Sequence, residues 1–156
     1  MYDSLWIFKI YVHLQVQIKQ KNMIHINTSE EMVSASPEKV FTVLTRFFER
    51  KPDALPSVSN WESLPNGCRF TIQDQISCQL TLTEQMPNSR VVYRAESDKG
   101  ISADVVFDIK PAGNESLLQG QLDMNIPFFL QGMVKGLIGK FLEPAMKQLK
   151  NVIENS

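Results

Sequence analysis

The chain has 156 residues, 43% hydrophobic and 21% charged, with a formal net charge of −1 at pH 7. That length suits one domain burying about 68–70% of its unfolded surface. The evenly mixed charge offers no basic footprint for nucleic acid.

The first 22 residues stand apart. Leu5 to Ile18 is apolar, but Lys9 and His13 interrupt it, so it is too short and too polar for a membrane span. It has neither a charged start nor a small-residue cleavage site, which argues against a secretory signal and for a cytoplasmic protein. Trp6, Phe8, Ile10, Val12, Leu14, Val16 and Ile18 alternate with Ile7, Lys9, Tyr11, His13, Gln15, Gln17 and Lys19. Alternation of this kind predicts an amphipathic strand. Two readings stay open: residues 1–22 are an extension outside the native product, with Met23 an internal start, or they add an edge strand. Residues 23–156 then form a single domain.

Ile24 to Val33 reads as a strand with a polar interruption at Asn27 to Glu31. Ser36 supplies an N-cap oxygen, Pro37 occupies the first helical position, and Glu38 suits the positive end of the helix dipole. Val40, Phe41, Leu44, Phe47 and Phe48 give this helix an apolar stripe. Pro52 and Pro56 bracket a second short helix or turn at Asp53-Ala54-Leu55.

From Ser57 the pattern changes to six short strands. Trp61 lies in the first, which ends at Pro65-Asn66-Gly67, where Asn-Gly predicts a type I′ hairpin. Cys68, Phe70 and Ile72 share a face of the next. Ile76, Cys78, Leu80 and Leu82 then alternate with Ser77, Gln79, Thr81 and Thr83. After the Pro87-Asn88-Ser89 turn, Val91, Tyr93 and Ala95 share a face. Ile101, Ala103, Val105, Phe107 and Ile109 do the same after Asp98-Lys99-Gly100, and Leu118, Gly120, Leu122 and Met124 complete the series. Short turns between such strands predict an antiparallel meander.

A helix from about Pro127 to Glu154 closes the chain. Phe129, Leu130, Met133, Leu137, Phe141, Leu149 and Val152 fall near one side. Gly132, Gly136 and Gly139 each cost about 0.8–1 kcal/mol relative to Ala. They read either as close packing of backbone on the sheet or as a helix able to shift for a ligand. Pro144 is expected to kink or divide the helix.

This order, with Ala35-Ser36-Pro37-Glu38-Lys39-Val40-Phe41 leading into Leu55-Pro56, resembles the START/polyketide-cyclase (SRPBCC) superfamily over about residues 24 to 154. The resemblance implies an α+β helix-grip fold: a curved antiparallel sheet of about seven strands around a long C-terminal helix, with two short helices after the first strand. It also implies a cavity for lipids, sterols, quinones, hormones or polyketides, with chemistry in some members only. Fold alone does not choose among these.

The residues narrow the choice. Metal or Rieske-type chemistry lacks ligands, since His13 and His25 are the only histidines and lie outside the region of Cys68 and Cys78. The two cysteines read as reduced core thiols. No histidine in the sheet or final helix can serve a nucleophile. Arg69, Arg94 and Asp104 point outward by parity. Glu84 shares parity with Leu80 and Leu82, so it sits at a cavity mouth or beside a bulge. Tyr93 is the best candidate for a polar contact inside. The expected lining on the sheet is Phe70, Ile72, Leu80, Leu82, Tyr93, Val105, Phe107, Leu122 and Met124, joined from the helix by Phe129, Met133 and Leu137. The reading is binding of an apolar small molecule or lipid, without catalysis, cofactor or metal. The alternatives are a cyclase-type enzyme, and a chaperone-assisting module that would have a filled cavity. Ile126-Pro127-Phe128-Phe129-Leu130 is expected as an exposed apolar turn for a membrane or protein partner.

Overall fold

The computed structural model describes residues 4–21, 23–49 and 58–156. The Pro52–Pro56 segment, with its expected short helix, lies outside the described residues. Helix α1 spans Ser4–Lys21, which corrects the strand expected there. The alternation was imperfect, because Ile7 and Tyr11 fall in its polar phase. Eighteen residues also exceed the roughly 3–10 of ordinary strands, and the segment has no Gly or Pro to break a helix.

Strands β1 (Met23–Asn27) and β2 (Glu31–Val33) follow, split by the polar interruption. Helix α2 runs Pro37–Arg46 with Ser36 as N-cap, its hydroxyl accepting from the Lys39 amide at 3.3 Å. It continues into a 3-10 turn, Phe47–Glu49. The meander comprises β3 (Val58–Leu64), β4 (Gly67–Ile72), β5 (Ile76–Met86), β6 (Arg90–Ser97), β7 (Ser102–Ala112) and β8 (Glu115–Asn125). A second 3-10 turn, Phe128–Leu130, leads into α3, Gln131–Glu154.

One antiparallel sheet results, ordered β1-β8-β7-β6-β5-β4-β3, with β2 also pairing with β8. Two irregularities matter. Between Ser59 and Glu62 the β3–β4 register shifts, so Asn60 and Trp61 stand opposite Phe70. Asn60 takes φ 53°, the left-handed conformation that Asn tolerates. Between Leu82 and Glu84 the β5–β6 register shifts as well, with Thr83 as the extra residue.

The β3–β4 hairpin closes differently from its Asn-Gly signal. Leu64 pairs with Gly67, which leaves Pro65 and Asn66 as the turn, and neither Asn66 nor Gly67 has a positive φ. Gly67 is needed for closeness instead: a Cβ there would lie 1.8 Å from the Leu80 carbonyl oxygen. Along α3, a Cβ at Gly132, Gly136 or Gly139 would meet nothing within 4 Å. Of the two readings of these glycines, close packing against the sheet is therefore incorrect; they face outward. Pro144 does not divide α3 either, since the helix runs unbroken through it.

Buried side chains gather in two clusters. One joins α2 to the sheet and the end of α3, through Val40, Leu44, Tyr93, Leu118 and Ile153. The other, Ile101, Ala103, Met124, Ile126 and Val134, sits under the start of α3.

A cavity beneath the C-terminal helix

Between those clusters lies a cavity of about 990 Å³. Its floor comes from the alternating faces of the strands: Phe70 and Ile72 of β4, Cys78 and Leu80 of β5, Ala95 of β6. Ala103, Val105 and Phe107 of β7 continue it to Leu122 and Met124 of β8. The roof is α3, through Ile138, Leu142, Ala145, Met146, Leu149 and Val152. These spacings of three and four place one helical face over the sheet. Thr42, Arg46 and Glu49 also border the space and are exposed. They form a polar rim, on which Arg46 and Glu49 pair at 3.1 Å.

Seven of the expected residues thus stand on the wall: Phe70, Ile72, Leu80, Val105, Phe107, Leu122 and Met124. Leu82 and Tyr93 do not. They pair across β5 and β6 on the inward face, but at the end already filled by α2. Parity assigns a face and not a depth. The Tyr93 hydroxyl donates to the Leu44 carbonyl at 2.6 Å, satisfying one of the free acceptors at the end of α2. Phe47 and Phe48 pack edge-on against its ring, with centroids 5.1 and 6.2 Å away. Burial, and secondly the neighbouring Cys68, hold its ionisation well above the ordinary tyrosine range. Tyr93 is a core tie rather than a polar contact in the cavity.

Glu84 is also displaced from the site. The bulge at Thr83 reverses parity, so Glu84 pairs with Val92 and faces outward with Arg90 at 3.8 Å. Arg69 and Arg94 likewise pair on the outer face, with Glu62 at 3.3 Å and Asp104 at 3.2 Å. On α3 the expected row Phe129, Met133 and Leu137 is one residue out of phase with the true roof. Phe129 is 82% exposed and Met133 is exposed too. In the first half of α3 only Lys135 and Lys140 mark the solvent side, and Met133 lies there with them beside three glycines, so the apolar pattern does not fix the buried face to the residue.

Trp61 was not anticipated on the wall. The bulge at Asn60 turns it inward, where its ring stacks on Phe70 with centroids 5.4 Å apart and planes 15° from parallel. Its indole N–H donates to the Phe48 carbonyl at 3.3 Å, which also accepts from the Ser63 hydroxyl at 3.0 Å. An Asn before an aromatic in a strand is the only sequence signal for this bulge. Thr28 reaches the cavity too; its hydroxyl accepts from the Gly120 amide at 2.8 Å. Gly120 makes room, since a Cβ there would press to 3.3 Å from that hydroxyl and 3.4 Å from the Met146 sulfur.

Besides Thr28 and the rim, the polar side chains bordering the space are Glu96, Ser97, Ser102, Gln121 and Gln148, with no histidine or lysine among the described residues that line it. Cys78 is its one thiol, and burial, then the nearby Asp98 charge, push it up to about 11. Burial pushes Cys68 up to about 12. Both remain protonated and weakly nucleophilic at neutral pH. Among the described residues no group of three or more His, Cys, Asp or Glu is placed to hold a metal ion.

The architecture is similar to several solved structures. A START superfamily protein from Mycobacterium smegmatis shares 22% identity, with a TM-score of 0.64 over 85% of this chain and 97% of that one. The Zhui aromatase/cyclase from Streptomyces sp. R1128 matches at 12% identity and TM-score 0.66, covering 85% and 94% of the two chains. Norcoclaurine synthase from Thalictrum flavum matches at 15% identity and 0.62, covering 87% and 90%. No family model and no curated protein matches the sequence. At these identities the likeness establishes the helix-grip fold.

Proposed function

We propose that the chain binds a hydrophobic small molecule, of the lipid or polyketide size class, beneath α3 and does not transform it. The observation that carries this reading is the apolar-walled cavity of about 990 Å³. That volume lies at the upper end of the roughly 300–1,000 Å³ of small-molecule sites. Burial of apolar ligand surface would drive binding. The rim of Thr42, Arg46 and Glu49 would meet a polar end, taking the orienting role first given to Tyr93 and Glu84. Met124 and Met146 let the wall adapt to different shapes.

A cyclase-type reading needs polar groups converging on a substrate, and the hydroxyl best suited to it is held by Leu44. An interaction module with a filled core is also less well supported, since the space is open. Two measurements test the binding reading. Native mass spectrometry of freshly purified protein should reveal a co-purifying apolar molecule. Titration with 1-N-phenylnaphthylamine should give a fluorescence rise, and Ala145→Phe, which fills the roof, should weaken it at least tenfold, by roughly the cost of overpacking. A probe that never binds, or binds the variant equally well, would sink the reading.

A further inference from the structure

Phe128 and Phe129 are 81% and 82% exposed, the most exposed aromatic side chains among the described residues. They are held out and not merely frayed. Ile126 before them is fully buried, Leu130 after them packs on the second cluster, and the Leu130 amide donates to the Pro127 carbonyl at 2.9 Å. Two outward rows continue from the pair along α3. One reads Phe129, Met133, Gly136, Lys140 and the other Phe128, Gly132, Lys135, Gly139, and every member is exposed.

The charge along the helix beside them has one sign. From Met124 to Leu142 there are two lysines and no carboxylate. The β6–β7 turn lies beside this surface, with the Gly100 Cβ position 3.7 Å from Pro127 Cγ, and contributes exposed Lys99. Asp98 in that turn accepts from the Ser77 amide at 3.1 Å and keeps its charge, which offsets Lys99, so the positive excess of the face comes from Lys135 and Lys140.

We propose that this face docks on an anionic lipid bilayer. Phe128 and Phe129 enter the acyl boundary while Lys99, Lys135 and Lys140 lie at the phosphate level. The lysines favour an anionic lipid surface, since they stand on the same outward rows as the two phenylalanines with no carboxylate between Met124 and Leu142. No helix among the described residues is long and apolar enough to cross a membrane, so the contact is a surface one. The opposite side of the same helix, through Ile138 and Leu142, roofs the cavity.

Co-sedimentation of the full chain with vesicles tests this. Vesicles of equal parts phosphatidylserine and phosphatidylcholine should carry the protein down, and phosphatidylcholine alone should bind at least tenfold more weakly, on the order of one kilocalorie per lysine. Phe128→Ser/Phe129→Ser, at two exposed positions, should retain its circular dichroism and lose about tenfold or more in partitioning. Lys135→Gln/Lys140→Gln should lose roughly fivefold per lysine on the anionic vesicles only. Failure to pellet with anionic vesicles overturns the proposal. So does pelleting that both variants leave unchanged, including the case in which Trp6→Ser/Phe8→Ser on α1 alone abolishes it. Concentration-dependent self-association removed by Phe128→Ser/Phe129→Ser, with no vesicle binding, would reassign the face to a protein contact. An empty cavity in the probe titration leaves this test unaffected.

Discussion

The two ends of the space between sheet and helices are built differently from similar residues. Beneath α2, Leu44, Phe48 and Tyr93 close on one another, and the last carbonyls of that helical segment receive donors from Tyr93, Trp61 and Ser63. Beneath α3, the neighbouring floor residues Val105 and Leu122 face Leu149 of the roof across a hollow. The difference lies in reach. Helix α2 is tied to the strands by side-chain hydrogen bonds to its end. Helix α3 is fastened near its C-terminus, where Ile153 is fully buried and Glu154 accepts from the Ser34 amide at 3.0 Å. Its middle stands off the sheet.

Substitutions should separate the ends. Leu44→Ala should cost about 2–5 kcal/mol, because it opens a void in packed surroundings. Leu122→Ala should cost about 2 kcal/mol or less, since its side chain already borders a void and the cavity term is largely present. Urea unfolding midpoints measure both, and equal losses would mean that the two ends are packed alike.

Tyr93→Phe comes next. It strands the Leu44 carbonyl without its donor, for a loss of about 1–3 kcal/mol. Probe affinity should stay unchanged. A variant of normal stability that no longer binds the probe would put the hydroxyl in the site after all.

The smallest effect concerns pH. Up to the ordinary thiol value of 9.0, folded and unfolded chains both keep the Cys68 proton. Above it the unfolded chain releases that proton while the folded chain holds it until about pH 12, so stability falls as pH rises through this window. Cys78, held to about 11, acts in the same direction. Melting temperature should therefore be level below pH 9 and decline above it, and Cys68→Ala should flatten the decline. A melting temperature that rises with pH there would contradict the burial of these thiols.

Much of the fold was legible because its signals were local. Ser36-Pro37-Glu38 marked a helix start, and the parity of Ile76 to Leu82 marked a wall strand. One position was left open and two features escaped. A bulge beside Glu84 was one of two readings there, and the register shift at Thr83 selects it, since one inserted residue inverts everything beyond it. The facing side of α3 was lost because apolar Phe129 and Met133 stand on the solvent side, where they mimic a buried row. Trp61 was passed over because its orientation depends on the backbone at Asn60 and not on alternation. The N-terminal helix failed for the opposite reason: a period of two was present, but length and the absence of breakers outweighed it.

Gly67 has a last implication. Because the oxygen of Leu80 occupies the spot where any other amino acid would begin its side chain, drift at this codon is barred by shape alone. Leu80 borders the hollow, so the outline of that space is guarded by a neighbour that does not line it.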